Sequence, residues 1–354
     1  MKRVAFFLVT IALILVAHPL FGQENSTLKA TSVSLKFDKA QVSDILSQLA
    51  KSSGMTVKDR RTFDTDKTIS FHVNNVSFWQ ALDTIADKAG AVVSPYGKLS
   101  LGDGTNHAPV DNRGLVRSVV KRVETNADLV SGLRKCRLQV EFAWEPRLQP
   151  FYAEVKRWEI IFAEDRFGKA IKQNLVGTGK HKTFGVSAVE VPLSCLGADR
   201  SSPAIRSLKG ELSLITPKSM WNARFAKLIK GGKEITKSQD GVKVSLQQFL
   251  PLAKGAWKAI IHLDHPGSGG LLDSSEQYVW LVNNRVYLQN KNKRDLIIEP
   301  KSVEDDNVGN GYKKMIVFVN PALTDPADWE LVYRTAGPIV EVQVPFAFEN
   351  LPLP

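Results

Sequence analysis

Cysteine is scarce: Cys136 and Cys195 are the only two in 354 residues. Stability must therefore rest on apolar cores, for which a 43% hydrophobic content is ample. An exported chain with two thiols offers one disulfide, Cys136–Cys195, and the alternative is two separate buried thiols. Long apolar runs are missing beyond the N-terminus. The one present, Val4–Ala17, follows Lys2 and Arg3 and precedes the small residue Gly22. That is the pattern of a signal peptide over residues 1–22, and it is short for a bilayer span; a retained N-terminal anchor is the alternative. No transmembrane segment is expected after signal cleavage, and the mature chain is expected to be periplasmic or otherwise exported.

Acidic residues are outnumbered, 36 against 47 Lys and Arg, for a formal charge of +11. The deficit concentrates between Lys218 and Lys258, where nine cations face only Glu234 and Asp240, a net +7. Outside the cytoplasm nucleic acid is not an expected partner; anionic lipid head groups, envelope polymers and acidic proteins are. Trp221 sits among Arg224, Lys227 and Lys230, which would line one side of a helix and form a candidate partner contact. A solvated basic linker over 218–250, with a short helix at Arg224–Ile229 and a strand at Val242–Phe249, is the plainer reading.

Catalytic constellations are missing too. No paired carboxylates stand in an acid/base setting. Gly267-Ser268-Gly269-Gly270 lacks the first glycine of a nucleophile elbow. Gly177-Thr178-Gly179-Lys180 lacks phosphate-loop spacing, and Glu304-Asp305-Asp306-Asn307 lacks that of an EF-hand. The best metal candidate is His262, Asp264 and His265: the first two share a strand face, and His265 joins them only through a turn at Pro266. The polar end of a strand is the plainer reading. No cofactor is expected, and the chain is not expected to be an enzyme.

What is present is a unit written twice at an offset of 36. Val33-Ser34-Leu35-Lys36-Phe37 returns as Ile69-Ser70-Phe71-His72-Val73, and Val42, Ile45, Leu46, Leu49 return as Phe78, Ala81, Leu82, Ile85. Period-2 alternation predicts strands at Val33–Phe37 and Ile69–Val73. Helical spacing predicts helices at Gln41–Ser53 and Ser77–Lys88, with Ser77 as an N-cap and Gly54 and Gly90 as left-handed C-caps. Both helices are expected on one side of a small sheet. Trp79 flanks the second apolar stripe, as a cover for the core or as a partner-binding anchor.

This pattern, "DKAQVSDILSQLAKSSGMTV", a polar turn, then "ISFHVNNVSFWQALDTIADKAG", resembles the secretin and TonB N-terminal short domain over residues 33–101. The resemblance implies a periplasmic protein–protein interaction module. The chain departs from that family after residue 102, where no channel core, plug or barrel follows.

Beyond a linker at 103–130 the chain turns to β alternation, as in Leu138, Val140, Phe142, Trp144. A second duplication pairs Arg137–Pro146 with Trp257–Pro266 at an offset of 120. It pairs Trp158–Phe162 with Gln277–Val282 at 119, and Arg206–Ile215 with Tyr333–Val342 at 127. The expected fold is an α+β N-terminal domain (32–102) with duplicated strand–helix–strand units, followed by all-β tandem β-sandwich domains at 131–217 and 251–350. The expected function is that of an exported, non-enzymatic envelope protein that binds envelope proteins through its N-terminal module. The alternatives are a polysaccharide- or polyanion-binding β-sandwich protein and a metal-dependent hydrolase.

Overall fold

The computed structural model describes residues 28–354 except 200, 227, 229–232, 268, 273–275, 277, 309, 310 and 324. The signal peptide expected at 1–22 lies outside the described residues. The fold is mostly β, with two α-helices near the N-terminus and several sheets. No helix among the described residues is long and apolar enough to cross a membrane.

The N-terminal helices form where the apolar spacing places them. Val42–Ser53 buries Val42, Ile45, Leu46 and Leu49. Phe78–Ala89 buries Phe78, Trp79, Ala81, Leu82, Ile85, Ala86 and Ala89. Each fully buried large side chain contributes roughly 1.5–3 kcal/mol. Ser77 caps the second helix reciprocally with Gln80: the Gln80 N–H donates to the Ser77 hydroxyl and the Ser77 N–H to the Gln80 side chain. Both helices stop where the chain turns left-handed, at Gly54 (φ 72°) and Gly90 (φ 65°). The strands do not form the single sheet expected. Ser32–Gln41 and Thr68–Ser77 pair antiparallel as a two-stranded ribbon, while Lys58–Asp59, Ser100–Asp103 and Ala91–Ser94 form a separate three-stranded sheet.

Beyond residue 103 lie two β units of the same design. In the first, Ala188–Leu196, Arg134–Trp144 and Val116–Ala127 lie side by side, and a second sheet orders Tyr152–Phe162, Ala204–Pro217 and Ile339–Pro352. In the second, Gly311–Val319, Ala256–Asp264 and Val242–Ala253 lie side by side, and the other sheet orders Arg285–Asn290, Trp329–Ala336 and Met220–Phe225. The two lists match strand for strand. In each unit the two sheets enclose one apolar cluster.

The last strand of each list comes from the other repeat. Ala204–Pro217 runs on into Met220–Phe225, which pairs in the second unit; Trp329–Ala336 runs on into Ile339–Pro352, which pairs in the first. The cores follow this exchange. Val342, Val344, Phe346 and Phe348 belong to the first cluster, Ala223 and Phe225 to the second. Gly210 fits it closely: a Cβ there would stand 2.3 Å from the Phe346 ring.

Three expectations are therefore corrected. Residues 103–130 are not a linker, because Val110–Asp111 and Val116–Ala127 are strands of the first unit. Residues 218–250 are not a basic linker either: the strand read from the sequence at Val242–Phe249 is present as part of Val242–Ala253, and Met220–Phe225 and Ile235–Gln239 are strands as well. Finally, the offset of 120 is one residue out of register. It equates core-facing Phe142 with His262, which lies between core residues Ile261 and Leu263 and points the other way. A slip of one residue exchanges the two faces of a strand.

Candidate interaction site

The second helix does not offer a free surface. Trp79 is 1% exposed, and its indole N–H donates to the Leu115 carbonyl at 3.2 Å. Around it the N-terminal unit is seated on the first β unit. Asp83 pairs with Arg117 at 2.9 Å, and Arg117 also reaches Glu141 at 3.6 Å. Asn112 donates to Asp83 at 2.7 Å, the Ser77 hydroxyl to the Asn112 carbonyl at 2.5 Å, and Tyr96 to Glu190 at 3.0 Å. Glu145, fully buried, accepts from the Thr31 N–H and hydroxyl at 2.7 and 2.8 Å and from Arg147. Ala143 and Ala188 of the first unit complete the N-terminal core. The partner-anchor reading of Trp79 is thereby corrected: the first β unit covers it.

The most exposed aromatic of this unit among the described residues is Phe63, at 74%, followed by Tyr96 at 45%. It stands in the connection from Lys58–Asp59 to the ribbon, and that connection is fixed by charge. The Arg61 side chain, 1% exposed, donates to both Asp59 oxygens at 3.0 and 2.8 Å and to the Asp64 carbonyl at 3.2 Å. Asp103 receives the Thr62 N–H at 3.0 Å, the Thr62 hydroxyl at 2.6 Å and the Phe63 N–H at 3.1 Å. Asp64 takes φ 51°, a left-handed turn its short polar side chain tolerates. The Arg61 hydrogen bonds hold Asp59 below the ordinary carboxylate range, and the Thr62 hydroxyl does the same for Asp103. Arg61 is raised in turn by Asp59. A buried guanidinium thus holds the loop that carries an exposed apolar ring.

The ribbon beside it turns a polar face outward. Ser34 bonds Asn74 at 3.1 Å, Ser32 bonds Asn75 at 2.6 Å, and Ser70 bonds Asp38 at 2.8 Å. Each ten-residue strand has a single strand partner among the described residues, which leaves an outer edge on either side.

The remaining candidates disperse. Trp221 lies on Met220–Phe225, partly buried against the second core. Arg224 is on the same strand, not a helix, and pairs with Glu330 at 2.7 Å. Lys227 and Lys230 lie outside the described residues. His265 does not join His262 and Asp264. It stacks on Trp280 at 4.5 Å, its Nε2 donates to the Gly337 carbonyl at 3.1 Å, and its Nδ1 accepts the Gly267 N–H at 3.0 Å. Both ring nitrogens are engaged, and burial pushes its pKa below the ordinary imidazole value. Asp264 pairs with Lys243 at 3.4 Å. Six of the seven tryptophans, all but Trp221, are buried; among the tyrosines of the β units Tyr278 is exposed and stands edge-on to the partly buried Tyr312 at 5.1 Å. Ser268 of the glycine-rich loop and the side chains of Asp306 and Asn307 are outside the described residues.

Sequence reasoning missed Phe63. It stands in the polar turn between the two repeats, where the Asp59 and Asp103 carboxylates accept hydrogen bonds from Arg61, Thr62 and Phe63 that no periodicity encodes. No family model matches the chain, and no curated protein matches it.

Proposed function

We propose that this is an exported, non-enzymatic cell-envelope protein that docks on another envelope protein through its N-terminal unit. In this reading residues 32–102 are an α+β domain of the secretin and TonB N-terminal short type, carried on two β-sandwiches. The contact is made by Phe63 together with the adjacent ribbon edge, where an extended partner segment adds a strand.

The observation that carries the proposal is the clamped loop. Exposed aromatics on pre-organised backbone are typical hot spots, because little ordering entropy is lost on binding. The duplicated strand–helix pattern and its two left-handed glycine caps support the domain assignment. The envelope setting rests on the leader at 1–22 and on the resemblance.

Affinity capture from cross-linked cells tests it, comparing the full chain with Phe63→Ala and with Val282→Ala, an equally simple change at an exposed site of the second β unit. A protein recovered with the full chain and Val282→Ala but lost with Phe63→Ala supports the reading. Equal recovery in all three rules Phe63 out as the anchor.

A further inference from the structure

The two cysteines, far apart in sequence, meet across a pair of antiparallel strands. Cys136 on Arg134–Trp144 stands directly opposite Cys195 on Ala188–Leu196. Both are buried in the first core. The type of pairing follows from the ladder. The Gly197 N–H donates to the Arg134 carbonyl at 2.9 Å, and the Trp144 N–H donates to the Ser187 carbonyl at 3.3 Å. Opposed residues alternate between hydrogen-bonded and non-hydrogen-bonded pairs, so Cys136 and Cys195, two residues from the Arg134–Gly197 pair, are a hydrogen-bonded pair. Such pairs have Cα atoms about 5.5 Å apart, within the Cα span of a disulfide, and closing the bond draws the two Cβ atoms in from roughly 4.5–5.5 Å. The thiols also interact with each other. Each thiol perturbs the other: Cys195 lowers the Cys136 pKa, and Cys136 raises that of Cys195.

We propose that Cys136 and Cys195 close into an intramolecular cross-strand disulfide that staples the strand Ala188–Leu196 to its neighbour and so fixes the seat of the N-terminal unit. Among the described residues Ala188–Leu196 is the edge of its sheet, with one partner strand. It nevertheless carries contacts of that seat: Ala188 lies in the N-terminal core, Glu190 holds Tyr96, and the preceding Ser187 hydroxyl donates to the Pro95 carbonyl. The oxidant is a disulfide, either that of a thiol–disulfide oxidoreductase or a small one such as oxidised glutathione. One cysteine thiolate attacks a sulfur of this disulfide and releases the other sulfur as a thiol. The second cysteine thiolate then attacks the mixed disulfide, closing Cys136–Cys195 and releasing the second thiol. The pair loses two protons and two electrons, and the oxidant becomes two thiols. Closure depends on the strand geometry alone; its occurrence in the cell rests on the export reading, so the two can fail separately.

The test refolds the full chain in reduced and in oxidised glutathione, beside the double variant Cys136→Ala/Cys195→Ala. The proposal expects a monomer lighter by two hydrogen atoms and a linked peptide containing both cysteines. It also expects a melting midpoint about 5 °C or more above that of the reduced protein and slower amide exchange across 188–196. The double variant should show no difference between the two conditions. Free thiols persisting in the oxidised sample, or bonds only between chains, would overturn the disulfide. A linked peptide with unchanged melting and exchange would overturn the staple.

Discussion

The two β units share strand order and exchange their last strands, yet only the first supports the N-terminal unit. The difference lies on the outer faces of corresponding strands. In the first unit, Val116–Ala127 and Arg134–Trp144 place Arg117 and Glu141 outward, and these are buried only because Asp83 and its helix cover them. In the second, Val242–Ala253 and Ala256–Asp264 place Lys243 and Asp264 outward, an exposed pair at 3.4 Å. One architecture thus serves as a seat in one copy and as a solvated face in the other. The seat combines the charged residues Asp83, Arg117 and Glu141 with Ala143, Ala188 and the Leu115 carbonyl.

The comparison breaks most completely at the exchanged strand. Ending the chain after Pro338 removes Val342, Val344, Phe346 and Phe348 from the first core while leaving Met220–Phe225 in the second. The expected outcome is loss of cooperative unfolding in the first unit, read by calorimetry and by proteolysis within 116–217, with strands of the second unit outlasting it. Next in size is the seat. Arg117→Met leaves Glu141, 1% exposed, facing Asp83 with Lys121 as its remaining cation. The expected cost is about 3–5 kcal/mol in denaturant unfolding, because a buried charge loses its partner. The matching change in the second unit, Lys243→Met, should cost less than about 1 kcal/mol, as exposed pairs do.

A smaller effect is expected at Gly210→Ala, which presses a methyl group into the Phe346 ring and should cost about 1–3 kcal/mol. The smallest concerns pH and marks the second unit. Burial holds the His265 pKa below its ordinary 6.5. The unfolded chain therefore takes up a proton first as pH falls, while the folded ring resists it. The contribution is complete above about 6.5 and is lost progressively as pH falls toward the folded value. His265→Phe should flatten stability over that range in urea melts.

How far the sequence could be read follows from how local each signal is. The two helices were legible to within a residue because Val42, Ile45, Leu46, Leu49 and their counterparts repeat within one segment, and Gly54 and Gly90 end it. Strands such as Arg134–Trp144 and Tyr152–Phe162 were legible from alternation. Their partners were not: alternation is the same whether Ile339–Pro352 pairs inside its own repeat or with Ala204–Pro217. The basic stretch looked like a linker because Arg224 and Lys243 face outward, and Met220–Phe225 buries only Ala223 and Phe225 in the core. Trp79 looked available because nothing in its helix signals that Leu115 and Arg117 lie over it.

The central claim is that the contact point is the clamped loop of the N-terminal unit and not the faces of the β units. The most direct measurement places a photo-cross-linking amino acid at position 63, and separately at positions 72 and 282, in the full chain in cells. The account predicts one shared partner cross-linked from 63 and 72 and nothing specific from 282. A partner captured from 282 alone, or the same yield from all three positions, would contradict it.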